Sequence, residues 1–266
     1  MDTTVAPEAV AQGPSLSPSR AGDFLTCALL YRFRAIDRLP EPPSPEAVRG
    51  TVIHRVLELL YDRPAAERTP AEAARLLAPA WAEVRAAEPE RSDLFPDDPD
   101  GDAERAWLAG ADAVLARYFD LEDPRRLEPA AREVAVSARL PSGLTVRGIV
   151  DRIDERSDGA LRVVDYKSGR APAPEWERRA LFQLRFYALV LQHERGTVPR
   201  ALRMVYLGSG EVLDVEVEPH DLALTERKVD AVWAAIQEAT TTDTWEPTPS
   251  AACRWCSFRD RCPAVD

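Results

Sequence analysis

The sequence predicts an α/β fold, a central mixed sheet flanked by helices, with a helical insert between the first helix and the sheet. Three observations carry it. Apolar residues recur at helical spacing up to about residue 128, then at alternating strand spacing from 133 to 167. A strongly helical stretch, 180–194, separates those strands from two more, the order that stacks helices on a sheet. With 266 residues, 45% of them hydrophobic and 30% charged, the chain can bury a large core as one domain.

Residues 1–14 are polar and are expected to be disordered. A short amphipathic segment, 17–38, carries Cys27, Leu29, Leu30, Tyr31 and Phe33, and a Pro-rich linker follows at 40–45. Ser44 is placed to cap a helix with Pro45 at its first position, running through Gly50 and His54 to about 60. Thr69-Pro70-Ala71-Glu72 reads as a capping box opening a helix to about 87. Residues 88–104 hold eight acids (Glu88, Glu90, Asp93, Asp97, Asp98, Asp100, Asp102 and Glu104) against Arg91, and read as a solvated loop. A helix over 102–119 closes the insert, which spans about 62–128. Strands are expected at 133–140, 144–154 and 161–167, joined by turns at Pro141-Ser142-Gly143 and Ser157-Asp158-Gly159. After the helix at 180–194 come strands at 201–207 and 211–217 around Gly208-Ser209-Gly210, then a helix at 222–240. The tail, 241–266, is irregular and holds three cysteines.

The net charge of -11 argues against a general nucleic-acid coat, although the acids of 88–104 carry much of it and leave room for local basic surface. No apolar run is long enough to span a membrane. Residues 1–14 lack the basic and apolar regions of an export signal, so a cytoplasmic protein is expected. Of the 34 Lys and Arg residues, only Lys167 and Lys228 are lysines.

That skew makes Asp165-Tyr166-Lys167 informative. Asp165 and Lys167 are two apart on a strand and point to one face. Asp151, at the end of the preceding strand, is expected beside Asp165, so that two carboxylates and an ammonium converge at one sheet edge. Carboxylates suit hard divalent cations such as Mg²⁺ or Mn²⁺, and a bound cation lowers the pKa of its water. A lysine beside that water can exchange a proton where an arginine cannot. His54 is a candidate further ligand, with Gly50 leaving room for close approach and Glu58 expected to hold the second ring nitrogen. Gln183 and Tyr187 share a helix face and could offer a hydrogen bond and a ring to a nucleotide.

Cys253, Cys256 and Cys262 have the close spacing of ligands around one metal centre, with Cys27 as a distant fourth. Four thiolates suit zinc or an iron–sulfur cluster. The one-plus-three arrangement differs from the two close pairs of a zinc ribbon.

These motifs together resemble the RecB-family nucleases of the PD-(D/E)XK superfamily, in the iron–sulfur branch that includes the AddB nuclease domain and the CRISPR adaptation nucleases. The resemblance runs in order over 17–263: Ser17 to Phe33 with Cys27, Gly50 to His54, Gly148 to Asp151, Asp165-Tyr166-Lys167, Gln183 to Tyr187, and the cysteine tail ending at Pro263. Ala28 stands where the family often has proline. The resemblance implies a restriction-endonuclease-like fold and a metal-dependent deoxyribonuclease, an exonuclease on single-stranded ends in recombination or repair. Alternatives with the same fold are a CRISPR spacer-processing nuclease and a non-catalytic DNA-end-binding scaffold. It implies His54, Asp151, Asp165 and the Tyr166 carbonyl as ligands of Mg²⁺ or Mn²⁺. Lys167 would position or activate the water, and Gln183 and Tyr187 would orient DNA. The four cysteines would hold a 4Fe–4S cluster, without which the two chain ends would have little reason to stay docked. DNA contacts are expected from Arg32, Arg34, Arg178, Arg179 and Arg185. No phosphate-binding motif of a helicase occurs in the sequence, so a separate helicase would be the partner.

Overall fold

The structure, a computed structural model, describes residues 15–88, 91 and 94–264, and only the backbone at 174–179. The stretch expected to be disordered, 1–14, lies outside the described residues, as do Glu90 and Asp93 of the acidic loop and the side chains of Arg178 and Arg179.

The element order is β1 (Ser15–Leu16), α1 (Pro18–Thr26), α2 (Ala28–Tyr31), α3 (Pro45–Leu60), α4 (Pro70–Ala87), α5 (Asp102–Leu121), β2 (Ala131–Arg139), β3 (Thr145–Glu155), β4 (Leu161–Lys167), α6 (Pro174–Arg195), β5 (Ala201–Tyr206), β6 (Glu211–Glu216) and α7 (Pro219–Thr242). The predicted helix starts have the expected chemistry. Ser44 Oγ accepts from the Ala47 N–H, and Thr69 Oγ1 accepts from the Glu72 N–H. Glu72 itself turns outward to Arg63 and Arg75. The two-residue strand β1 carries too little pattern to be read from sequence.

The sheet is mixed, in the order β1-β3-β4-β5-β6, with β2 on the other side of β3. β1 pairs parallel with β3, β4 pairs parallel with β5, and the other neighbours are antiparallel. The parallel β4–β5 pair is joined through α6, the crossover that such a pair requires. Helices lie on both faces of the sheet. Residues of α1, α2, α6 and α7, among them Leu184, Leu191, Val229 and Ile236, cover one face over Val136, Val150 and Val163. Helices α3, α4 and α5 form the layer on the other face over Val164, Tyr166, Val205 and Leu207. The helices at 62–128 therefore share their core with α3 and with the centre of the sheet.

One irregularity positions everything that follows. Toward the α1/α6/α7 core, β2 sends Val134, Val136 and Ala138, and β3 sends Val146 and Val150. Beyond Glu133 and Asp151 the residues on that face become Ala131 and Ile153, a shift of one in each strand. Both strands slip together, so the pairing register stays the same on either side, while the Glu133–Asp151 pair itself is skipped. Glu133 has φ of 41°, a conformation that costs a non-glycine residue about 1–3 kcal/mol. On its other edge β3 is shared: β1 takes Thr145 and Val146, and β4 joins only from Arg152 onward. The strands are thus splayed around Asp151.

Candidate active site

Both hairpin turns set the same row. Leu140 N–H donates to the Leu144 carbonyl at one turn and Arg156 N–H to the Ala160 carbonyl at the other. Counting back from each places Glu133 opposite Asp151, and Asp151 opposite Asp165. Three acids thus stand in one line across β2, β3 and β4. Like charges directly opposite one another destabilise a sheet, and neither of these two pairs is part of the ladder. Instead the Tyr166 N–H donates to Asp151 Oδ2 at 2.7 Å, so a side chain replaces the missing backbone partner. The expectation of a site at a sheet edge is therefore corrected. It lies at a split between central strands, because three carboxylates force the ladder apart there.

His54, on α3, faces this row. Its Nε2 lies 2.9 Å from the Tyr166 carbonyl oxygen. A carbonyl can only accept, so Nε2 carries the proton. Nδ1 then points at Glu133 Oε1 and Asp151 Oδ2, each 3.6 Å away. Burial pushes the imidazole toward neutrality, but the Glu133 contact and the charges of Asp151 and Asp165 outweigh it and raise its pKa to about 9. Glu58 does not hold the ring, contrary to expectation. It reaches Arg55 at 2.6 Å, one turn earlier on the same helix. Gly50 makes room for protein: a Cβ there would lie 3.0 Å from Ser168 Oγ, directly after Lys167.

Asp165 is almost fully buried. Burial and the charge of Asp151 lift its pKa to about 6, and Lys167 opposes that rise. Burial raises Asp151 as well, against the charge of His54. Lys167 Nζ sits 2.7 Å from Asp165 Oδ2 and donates to Gln183 Oε1 at 3.0 Å. Gln183 Nε2 donates to Asp165 Oδ1 at 2.8 Å and lies 3.3 Å from the Tyr187 hydroxyl. The two helix residues thus hold Asp165 and Lys167 in place. Gly148 lets this happen, since a Cβ there would come within 2.6 Å of the Tyr187 ring.

The row opens into a cleft of about 950 Å³, lined among others by His54, Glu133, Ile149, Lys167 and Arg170. His54, Glu133 and Asp151 each present one ligand atom within 4.8 Å of the others, the only such group of three or more among the described residues. Carboxylates with one imidazole are a donor set for Mg²⁺ or Mn²⁺. Asp165 and the Tyr166 carbonyl, the other ligands implied by the sequence, lie alongside. The Asp165 oxygens face Lys167 and Gln183, and the Tyr166 carbonyl faces His54.

Sequence reasoning missed two residues here, Glu133 and Arg170. Glu133 was legible from the hairpin turn, because counting back from residues 141–143 sets it across from Asp151. Arg170 follows the Asp-x-Lys by three residues. Of the arginines expected to meet DNA, Arg32 is tied to Asp37 and Asp243, and Arg34 to Asp23 and Glu41. Neither lines the cleft. Arg185 reaches Asp221 of α7 at 3.4 Å.

In a separate cavity of about 240 Å³, which shares no lining residue with the cleft, Cys27, Cys253, Cys256 and Cys262 stand among apolar walls that include Leu29, Phe33 and Phe258. The Thr248 and Ser250 N–H groups donate to the sulfurs of Cys27 and Cys253 at 3.4 and 3.3 Å. The chain ends also meet without the sulfurs. Tyr31 stacks on Trp245, Phe33 packs on Phe258, and Arg32 pairs with Asp243. The expectation that only a cluster keeps them docked is corrected by these contacts.

The family model of the PD-(D/E)XK nuclease superfamily matches residues 15–263. The chain belongs to this superfamily. Along nearly its full length it is similar to the Gene 69 protein of Mycobacterium phage D29, 24% identical over 94% of this chain and 97% of that one. It is also 31% identical, over 62% of its length, to one of the subunits of the ATP-dependent helicase/deoxyribonuclease of Streptococcus equi subsp. zooepidemicus. The matched part is 16% of that much longer protein. The fold resembles the solved structure of a "Putative exonuclease" from Eubacterium rectale, with a TM-score of 0.58, 13% identity and 94% of each chain covered. Among the described residues, no helix is long and apolar enough to cross a membrane.

Proposed function

We propose that the protein is a divalent-cation-dependent deoxyribonuclease acting on DNA ends, with single strands as the preferred substrate and unwinding supplied by a separate helicase in the cytoplasm. The observation that carries this reading is the row Glu133, Asp151 and Asp165, set against Lys167 and His54 at the floor of a cleft that Glu133, His54 and Lys167 line. Its formal charge is negative even with His54 protonated, the state that a cation would balance. His54 Nδ1, Glu133 and Asp151 would hold Mg²⁺ or Mn²⁺, with Asp165 and the Tyr166 carbonyl beside them. Such a cation, when bound, polarises a phosphoryl oxygen and lowers the pKa of a bound water.

The chain's own residues do the rest. The His54 Nε2–H bond to the Tyr166 carbonyl keeps Nδ1 aimed into the site, where a cation would take the place of its proton. Lys167, held between Asp165 and Gln183, is fixed where its ammonium can orient the attacking water or meet the scissile phosphate. Gln183 holds both partners at once, so the proton-handling group does not wander when DNA enters. Arg170, at the cleft wall, offers a charge to a neighbouring phosphate. The helicase/deoxyribonuclease relative supports the pairing with a helicase, and the exonuclease-like neighbour supports action at ends.

A 4Fe–4S cluster fits the cysteine cavity. The four thiols ring a space rather than closing on a point, whereas one zinc with Zn–S bonds of about 2.3 Å draws its sulfurs together. The two N–H donors suit thiolates, as in cluster sites. Its role is to tighten ends that aromatic contacts already hold.

The test is cleavage of labelled single-stranded and duplex DNA by anaerobically purified protein with Mg²⁺ or Mn²⁺. Lys167→Ala should cut at least about a hundredfold more slowly, and a chelator should abolish cleavage. Brown colour with bound iron would support the cluster. A wild-type protein that binds DNA but never cuts it would make the chain a scaffold.

A further inference from the structure

One face of the β2–β3 hairpin is left uncovered. Val134, Val136, Ala138, Val146 and Val150 point into the α1/α6/α7 core. The alternate residues, Ala135, Arg139, Arg147 and Ile149, are exposed, and Ser137 is half-buried. The helical layer α3–α5 packs over β4 and β5 and takes no residue from this part of β2 or β3. The bare face begins at the cleft, because Ile149 lines it.

Its surface chemistry is specific. Ile149 is 55% exposed in mid-strand, where an isoleucine normally meets a partner. Its cross-strand neighbour is Ala135, and that of Arg147 is Ser137. Large side chains on β3 thus border small ones on β2, which shapes a shallow furrow. Arg139 pairs with Thr145, so Arg139 and Arg147 are diagonal neighbours, roughly 7–8 Å apart at the backbone. Neither has an acidic partner among the described residues, whereas Arg55 at the cleft and Arg34 at the cysteine cavity are ion-paired. Two like charges side by side on an open sheet face are stabilised by anions that bridge or follow them.

We propose that this face is the track along which one strand of DNA runs out of the cleft, Ile149 lying under an unpaired base and Arg147 and then Arg139 meeting successive phosphates. The proposal rests on the nuclease reading and names the path of its substrate. A single strand suits the furrow because its bases offer an open π-face to an apolar side chain, whereas those of a duplex are already stacked. Ile149 is a positioning residue, two positions before Asp151.

The experiment uses the full chain with a labelled 20-nucleotide single strand, and bis(p-nitrophenyl) phosphate as a phosphodiester too small to reach the track. Ile149→Ala should raise KM for the oligonucleotide about three- to tenfold, less than loss of an aromatic platform would, and by clearly more than it raises KM for the small substrate. Arg139→Ala with Arg147→Ala should flatten the dependence of log affinity on log salt by about 1.4, since each phosphate contact on a single strand contributes about 0.7. Affinity, read by anisotropy in chelator, does not depend on cleavage. An unchanged salt slope and KM in an active protein overturns the track, as do equal losses on both substrates. A wild-type protein with no affinity for DNA overturns the nuclease reading itself, and the track with it.

Discussion

Two charge clusters sit side by side on β3, and they are built in opposite ways. At Asp151 three carboxylates line up with one lysine and one histidine around a cleft. One residue further, Arg152 enters a chain of alternating charges. Asp214 meets Arg203, Arg203 meets Glu122, Glu122 meets Arg152, Arg152 meets Asp154, and Asp154 meets Arg162. Three cations balance three anions. Arg152 is 1% exposed and also donates to the Tyr61 and Tyr166 hydroxyls. Where no ligand enters, buried charge is neutralised within the chain and the ladder closes over it. Where the ladder breaks, negative charge is left in excess. The comparison separates charge that holds the fold from charge that awaits a ligand.

The sharpest way to break this contrast is Asp151→Asn. Cleavage and Mn²⁺ binding, followed by calorimetry, should fall at least about a hundredfold. Stability in urea should hold or rise, since Asn still accepts from the Tyr166 N–H and removes one of three like charges. A large loss of stability would mean that the row is structural. Glu122→Gln should do the reverse, costing about 3 kcal/mol by taking from the buried Arg152 one of its two counter-ions and leaving Asp154 alone to balance it. At low temperature, where the variant is still folded, its cleavage rate should stay within a few-fold of wild type.

Acid should separate the clusters too. Burial opposes ionisation of Glu122, but Arg152 and Arg203 win and hold its carboxyl below the usual range. A depressed acid stabilises the fold above its unfolded value of about 4.5, and that share is lost as pH falls through the lower folded value. Asp165 is raised to about 6, so its share is present below about 3.8 and lost as pH rises through 6. Urea melts from pH 7 to 3 should show a smaller acid-side loss in Glu122→Gln than in wild type. The opposite contribution, between about 4 and 6, should shrink in Asp165→Asn. A smaller effect is expected from Gly148→Ala, whose new methyl must displace the Tyr187 ring. It should cost about 1–3 kcal/mol and slow cleavage through the loss of the Gln183–Tyr187 contact, read as kcat at fixed temperature.

Much of this architecture was legible beforehand. Caps and turns are local chemistry, so Ser44, Thr69 and the two hairpin turns could be placed from neighbours a few residues away. Asp165 and Lys167 were readable as a pair because strand geometry puts residues two apart on one side, and Gln183 and Tyr187 because helix geometry does the same four apart. The Arg152 chain was not legible, because its six members come from the residue that follows α5 and from β3, β4, β5 and β6, and its partners are set by packing. The partners of Arg32 and Arg34 were hidden for the same reason. A sequence shows an arginine but not the carboxylates that fold against it.

The sequence by itself determined the turns, and through them the register that lines up Glu133, Asp151 and Asp165. Short-range backbone geometry fixes register, so the acid row is already written in the spacing between two turns. Only the tertiary structure decided what the row becomes. It brought His54 in from a helix 112 residues before the Tyr166 carbonyl that orients it. It also left one face of the β2–β3 hairpin without a covering layer. Both follow from how helices dock on a twisted, split sheet, and that depends on the shape of the whole core rather than on any local run of residues.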